Sequence, residues 1–159
     1  MGFQVGIGYD IHRRVAGRPL VLGGVTIPGD WGLEGHSDAD VLSHAVGDAL
    51  LGAVSLGDLG RHFPPDDPRW KDSSSIELLG LIRALLAGRG ATVVNVDATV
   101  IAEEPKLAPL REAMCLNIAR ALRVGAEKVS VKATTNEALG ALGRQEGLAA
   151  LAVAMVELP

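Results

Sequence analysis

"GLAALAVAMVEL", residues 147–158, is the stretch on which the fold turns. Its inner run "LAALAVAMV" is far shorter than the roughly 20 apolar residues a membrane helix needs, so it predicts a buried closing strand and no membrane span. Upstream, "KVSVKATT" reads as a second strand, followed by a short helix from "NEALG". "LAPLREAMCLNIARALRV" reads as a helix, and "ATVVNVDATVIA", interrupted by Pro105, as a long strand. "SSSIELLGLIRALLAGRG" predicts an amphipathic helix ending at Gly88 or Gly90. "DADVLSHAVGDALLGAV" sets Val41, Leu42, Ala45, Ala49 and Leu50 at helical spacing behind an N-cap at Ser37 or Asp38. At the front, "FQVGIGYDIH" predicts a strand, and "PLVLGGVTIP" a hairpin whose apolar runs meet at Gly23-Gly24. Between the first two helices, "GDLGRHFPPDDPRWKDSS" breaks all periodicity and predicts a long loop, a length that usually has a function. Strands alternating with helices and ending on an apolar strand point to an α+β fold. The expectation is a mixed four-stranded sheet with helices packed on one face plus a β-hairpin, as one domain over residues 1–159.

Composition excludes several function classes. A formal net charge of -4, with scattered Lys and Arg, argues against a nucleic-acid partner held by phosphate neutralisation. Any phosphate site must be local. The single Cys115 rules out an internal disulfide framework, and its apolar neighbours suit a core position. "MGFQVG" lacks a basic leader region, so a cytoplasmic location is expected. Hydrophobic content of 48% and a mean hydropathy of +0.26 are high for so small a domain, which predicts apolar surface covered by other subunits.

The candidate chemistry begins at Asp10-x-His12. Residues two apart on a strand project to one face, so both side chains can converge on one point. His36 and His44 lie around the start of the first helix. An Asp, His, His trio would leave a tetrahedral zinc one open position for substrate. The pair alone equally suits a carboxylate orienting a strand-end imidazole. Asp40, His44 and Asp48 recur at i, i+4, i+8, where a carboxylate can hold the second ring nitrogen of His44, or simply form a solvated stripe. Thr134-x-x-Glu137 matches a capping box, and a helix start with hydroxyls and a carboxylate equally suits a phosphate with a divalent cation. "GIGYDI" begins like a dinucleotide fingerprint, but its sixth position is Ile11 and no helix opens there. His62 has no evident companion and reads as a loop side chain.

"GYDIHR", "GGVTIP", "HSDADVLSHAVGDALLGAVSLGDLGRHFP", "NVDATVIAEEPKLAP" and "VKATTNEALGALGRQEG" together resemble the 2-C-methyl-D-erythritol 2,4-cyclodiphosphate synthases of the non-mevalonate isoprenoid pathway. The likeness runs nearly end to end. It implies that Asp10, His12 and His44 bind zinc, and that the substrate is a cytidine diphosphate ester of methylerythritol 2-phosphate. The 2-phosphate would attack the β-phosphorus and expel CMP, closing an eight-membered cyclic diphosphate. The nucleophile is already an anion, so positioning and charge neutralisation suffice.

By the same resemblance, His36 and Thr135 would stabilise the pentacovalent phosphorus, with Ser37 beside them. Asp10, His12 and Glu137 would face the phosphates, and Glu137 would hold a magnesium or manganese ion bridging them. Asp58, Leu59 and Gly60 would cover the methylerythritol portion, together with Phe63, Pro64, Pro65, Asp66 and Asp67. Ala102, Pro105, Lys106, Leu107 and Ala108, with Thr134, would form the cytidine pocket. The family is a homotrimer with active sites between subunits, and Arg144 matches an arginine facing a central cavity where isoprenoid diphosphates bind. Ala141 stands where the family often has an aromatic residue just before that arginine, which leaves the cavity ligand open. Glu103 and Glu104 in "EEPK" are more acidic than a nucleotide pocket calls for and are expected to point to solvent. Two other classes compete: a zinc-dependent phosphodiesterase or pyrophosphatase using the same three ligands to activate water, and a nucleotide-binding trimer without turnover.

Overall fold

In the computed structural model, which describes residues 2–159, the opening strand β1 (Gly2–Ala16) alternates through its middle, from Val5 to Arg13. Gly6 and Gly8 are buried on one face while Phe3, Val5, Ile7, Tyr9 and Ile11 stand exposed on the other. The hairpin forms as β2 (Leu20–Leu22) and β3 (Val25–Ile27), with Gly23 and Gly24 at φ 55 and 71. Two consecutive positive φ values suit a turn that matches the strand twist, and glycine adopts them without strain.

The sheet has five strands, not the expected four, in the order β4-β1-β7-β5-β6. The extra strand is β4 (Trp31–Leu33), antiparallel to the end of β1. Three residues carry too little alternation to be read from sequence. β5 (Thr92–Ile101) pairs in parallel with β6 (Val129–Thr134) and antiparallel with β7 (Gly147–Leu158), so the sheet is mixed as expected.

Three helices cover one face. α1 (Val41–Ala53) lies on β1, β7 and β5, α3 (Ser75–Gly88) packs on α1, and α4 (Arg111–Leu122) joins α3 to β6. The short α2 (Leu59–His62) sits within the long loop, which also carries a 3-10 turn at Pro68–Trp70. The core between layers holds Leu42, Leu50, Ile82 and Ile118, each fully buried. Burial of such a side chain contributes roughly 1.5–3 kcal/mol relative to exposure. Among the described residues nothing covers the opposite sheet face: Ile7 is 71% exposed, Phe3 65% and Val153 44%. No helix among the described residues is long and apolar enough to cross a membrane.

Local chemistry moves two expected caps. The N-cap of α1 is Asp40, whose carboxylate accepts the Ser43 N–H at 3.0 Å, rather than Ser37 or Asp38. Asp40 is fully buried and also accepts the Gly23 and Gly24 N–H groups at 2.9 and 2.8 Å, pinning the hairpin tip to the helix. Thr134-x-x-Glu137 is no capping box. Glu137 and Ala138 take φ 52 and 60, a left-handed turn, and the short α5 starts only at Gly140 (Gly140–Gly143).

Candidate metal centre and active site

Gly6 and Gly8 explain how the site is assembled. A Cβ on Gly8 would overlap the Ala45 carbonyl oxygen and one on Gly6 that of Ala49, so β1 and α1 touch backbone to backbone. Asp10 and His12 continue the same face of β1 toward α1, which carries His44 one turn along from Asp40. Asp10 Oδ2 lies 2.8 Å from His12 Nε2 and 3.0 Å from His44 Nδ1, and the two ring nitrogens are 3.2 Å apart.

The outer nitrogens are engaged elsewhere. His12 Nδ1–H donates to the Glu34 carbonyl at 2.7 Å, leaving Nε2 as a lone pair. His44 Nε2 faces Ser75 Oγ at 2.8 Å and Ser37 Oγ at 3.2 Å. Three lone-pair atoms then face one another, an arrangement that repels unless a proton or cation lies among them. A tetrahedral zinc with ligands at about 2.0–2.1 Å has edges of about 3.4 Å, close to this triangle, and two imidazoles with a carboxylate are donors zinc accepts. These three residues form a metal-competent group. Without a metal the same convergence shows as proton affinity. Burial opposes the charge on Asp10, but the hydrogen bonds and charges of His12 and His44 outweigh it and hold its carboxyl well below the usual range. Burial likewise disfavours charge on His12, yet Asp10 raises its pKa above the ordinary value.

The triad opens into a cavity of about 260 Å³ that also holds His36, Ser37, Leu59, Phe63 and Pro65 among the expected residues. Asp58, Gly60, Pro64, Asp66 and Asp67 belong to the same loop but are not on the cavity wall. Asp58 caps α2 through the Arg61 N–H at 3.0 Å, and Asp67 caps the 3-10 turn and pairs with Arg69. His62 lies on α2 and its Nε2–H donates to the Leu56 carbonyl at 2.9 Å, so it is a structural side chain on a helix.

Neither stripe carboxylate holds His44. Asp40 folds back over its own helix start, and Asp48 Oδ1 accepts the Leu59 N–H at 2.8 Å. Burial pushes the Asp48 carboxyl above its ordinary value, against the pull of that N–H.

The expected nucleotide segment forms a separate unit. Ala102, Pro105, Lys106, Leu107, Ala108, Thr134, Thr135 and Glu137 do not line the cavity of the same chain. Ala102 N–H donates to the Thr134 carbonyl at 2.9 Å. Glu103 accepts the N–H groups of Asn136 at 2.8 Å and Ala138 at 3.3 Å, and Glu104 accepts from Arg14 at 2.7 Å. Glu104 is exposed, as expected, while also pairing with Arg14, and Glu103 is half-buried against the turn at Asn136. Arg144 is exposed and pairs with Glu146 at 2.7 Å.

Sequence reasoning missed several residues. Arg18 donates to the Gly35 carbonyl at 2.6 Å and the Ser37 carbonyl at 2.8 Å, clamping both sides of His36. Asp38 and Ser75 stand behind His44, and Trp70 meets Phe63 edge-on at 5.0 Å on the cavity wall. All act through contacts with residues distant in sequence or across the loop, and only the apolar character of Trp70 within a polar loop was a signal.

A family model described as the YgbB family matches residues 3–157. The chain belongs to the YgbB family. It is 59% identical over 157 residues to the 2-C-methyl-D-erythritol 2,4-cyclodiphosphate synthase of Dechloromonas aromatica, covering 99% of this chain and 98% of that protein. The corresponding synthase of Synechococcus elongatus is 53% identical over 154 residues, 97% of this chain and 96% of that one. Among solved structures, the Plasmodium falciparum IspF CDP complex superposes with a TM-score of 0.85 at 32% identity, over 98% of this chain and 96% of that one. This YgbB-family chain also matches the bifunctional IspDF of Campylobacter jejuni, with a TM-score of 0.95 at 40% identity, over 99% of its own length and 43% of that chain.

Proposed function

We propose that this chain converts 4-diphosphocytidyl-2-C-methyl-D-erythritol 2-phosphate to 2-C-methyl-D-erythritol 2,4-cyclodiphosphate and CMP, in non-mevalonate isoprenoid biosynthesis. The observation that carries the reading is the convergence of Asp10 Oδ2, His12 Nε2 and His44 Nδ1 in a cavity shared with His36, within a member of this family. An oxygen of the 2-phosphate bonds to the β-phosphorus, the bond from that phosphorus to the bridging oxygen breaks, and CMP departs with the electron pair. No water is consumed. Asp10, His12 and His44 would hold zinc and Glu137 magnesium or manganese, and these ions would supply positive charge that offsets the negative charge of the substrate's diphosphate.

The chain's own residues position and screen the reactants. His36, with its backbone clamped by Arg18, and Thr135 are the hydrogen-bond donors to the oxygens of the pentacovalent phosphorus, and Ser37 lies beside them. The loop from Asp58 to Asp67, backed by Phe63 and Trp70, covers the methylerythritol and excludes the water that would divert the reaction to hydrolysis. The segment Ala102–Ala108 with Thr134, including Lys106, reads the cytidine, in keeping with the relative bound to CDP.

The nucleotide segment lies away from the cavity of its own chain, and the uncovered sheet face of Ile7, Phe3 and Val153 calls for a cover. Both features support a homotrimer in which one copy's cavity meets its neighbour's nucleotide segment, with Arg144 toward the central cavity. Turnover in oxygen-18 water tests the chemistry. The synthase leaves CMP and product unlabelled, whereas one labelled oxygen per turnover would establish the hydrolase instead.

A further inference from the structure

His44 is the one triad member supplied by a helix, and its cavity-facing Nδ1 is useful only if the imidazole proton resides on Nε2. That nitrogen lies 2.8 Å from Ser75 Oγ. Ser75 is 1% exposed, and both its Oγ and its backbone N–H engage the Asp38 carboxylate, the latter at 2.9 Å. The Asp40 N–H also donates to Asp38, at 3.1 Å. A carboxylate only accepts, so the single hydroxyl proton of Ser75 goes to Asp38 and its Oγ offers lone pairs to His44. The other nearby hydroxyl, Ser37 Oγ, accepts the Ala39 N–H at 3.3 Å and lies farther from His44 Nε2, at 3.2 Å, so the shorter Ser75 contact dominates.

We propose that Ser75, oriented by Asp38, is a positioning residue that locks His44 in the Nε2–H tautomer and so turns Nδ1 toward a divalent metal at Asp10 and His12. The inference rests on reading those three residues as a metal site. It parallels the lock on His12, where the Glu34 carbonyl plays the same part. It also ties the metal centre to the loop over the cavity. Ser75 begins α3 where that loop ends, and the adjoining strip is fastened by Asp72 N–H to the His36 carbonyl at 3.0 Å and Asp38 N–H to the Ser73 carbonyl at 3.1 Å.

The test is zinc titration of chelator-stripped, full-length protein against a competing chromogenic chelator, with imidazole nitrogen NMR at a pH where histidine is neutral. Wild type is expected to bind one zinc per chain and to give the Nε2–H pattern for His44. Ser75→Ala is expected to lose roughly 10–100-fold in zinc affinity and to shift the tautomer, with Ser75→Thr restoring both. Equal zinc affinity and an unchanged tautomer in a folded Ser75→Ala protein would overturn the role of Ser75. Should that variant fail to fold, zinc ligation through His44 Nε2 in wild type, read as an Nδ1–H pattern in the zinc-loaded protein, would overturn it as well. Absence of zinc binding by wild type would instead remove the underlying metal reading.

Discussion

His12 Nε2 and His44 Nδ1 lie 3.2 Å apart although 32 residues separate them, one on a strand and one on the helix packed against it. The approach depends on a glycine face at Gly6 and Gly8, which lets helix and strand backbones touch. The site's geometry is thus a property of the layer packing and not of a local motif.

Asp10 is the hub of the triad, since its Oδ2 contacts both ring nitrogens. Asp10→Asn is expected to weaken zinc binding by more than the roughly 10–100-fold of an outer-shell change and to lower the melting temperature, because the native state favours the Asp10 carboxylate. Competition titration and a melting curve check this. Unchanged affinity would move the metal to other ligands.

Gly8→Ala drives a methyl into the Ala45 carbonyl and must push α1 off the sheet. A destabilisation on the order of 3 kcal/mol is expected in chemical denaturation, accompanied by weaker zinc binding because His44 moves with the helix. A variant as stable as wild type would show that the contact relaxes freely.

Much of this architecture was legible in the sequence, and its limits have physical causes. The alternation in β1, the helical spacing of Val41, Leu42, Ala45 and Ala49, and the Gly23-Gly24 turn each carry a local period or a backbone requirement. β4, at three residues, carries none. The Thr134-x-x-Glu137 pattern misled because positive φ at Glu137 and Ala138 delays the helix to Gly140. Asp10, His12 and His44 were readable as ligand types. Arg18, Asp38 and Ser75 were not, since their roles exist only through partners 17 to 37 residues away.

Asp40 combines an N-cap with the hairpin anchor while fully buried. Asp40→Asn leaves the Gly24 N–H and Ser43 hydroxyl short of an acceptor and is expected to cost about 2–4 kcal/mol near neutral pH. Burial raises the Asp40 carboxyl pKa above its ordinary value, against the N–H groups of Ser43, Gly24 and Gly23. The folded state therefore binds this proton more tightly, and its stability contribution falls as pH rises from the unfolded value through the folded one. Denaturation from pH 4 to 7 should find the advantage of wild type over Asp40→Asn largest at the acidic end. A difference that grew with pH would contradict the raised pKa.

The uncovered sheet face predicts assembly. Ile7 is 71% exposed in the single chain, so Ile7→Asp should change the stability of an isolated copy by no more than about 0.5 kcal/mol. In a trimer it would bury a charge. Light scattering is expected to give a trimer for wild type and a monomer with greatly reduced turnover for the variant, and a wild-type monomer would remove the inter-subunit site.

Phosphorus NMR of wild type and His44→Ala, each incubated with the cytidine diphosphate substrate, zinc and magnesium, tests the central claim most directly. Wild type is expected to give the paired resonances of a cyclic diphosphate with equimolar CMP, and His44→Ala to leave the substrate unchanged. Open-chain phosphates, or no reaction with wild type, would contradict the synthase reading.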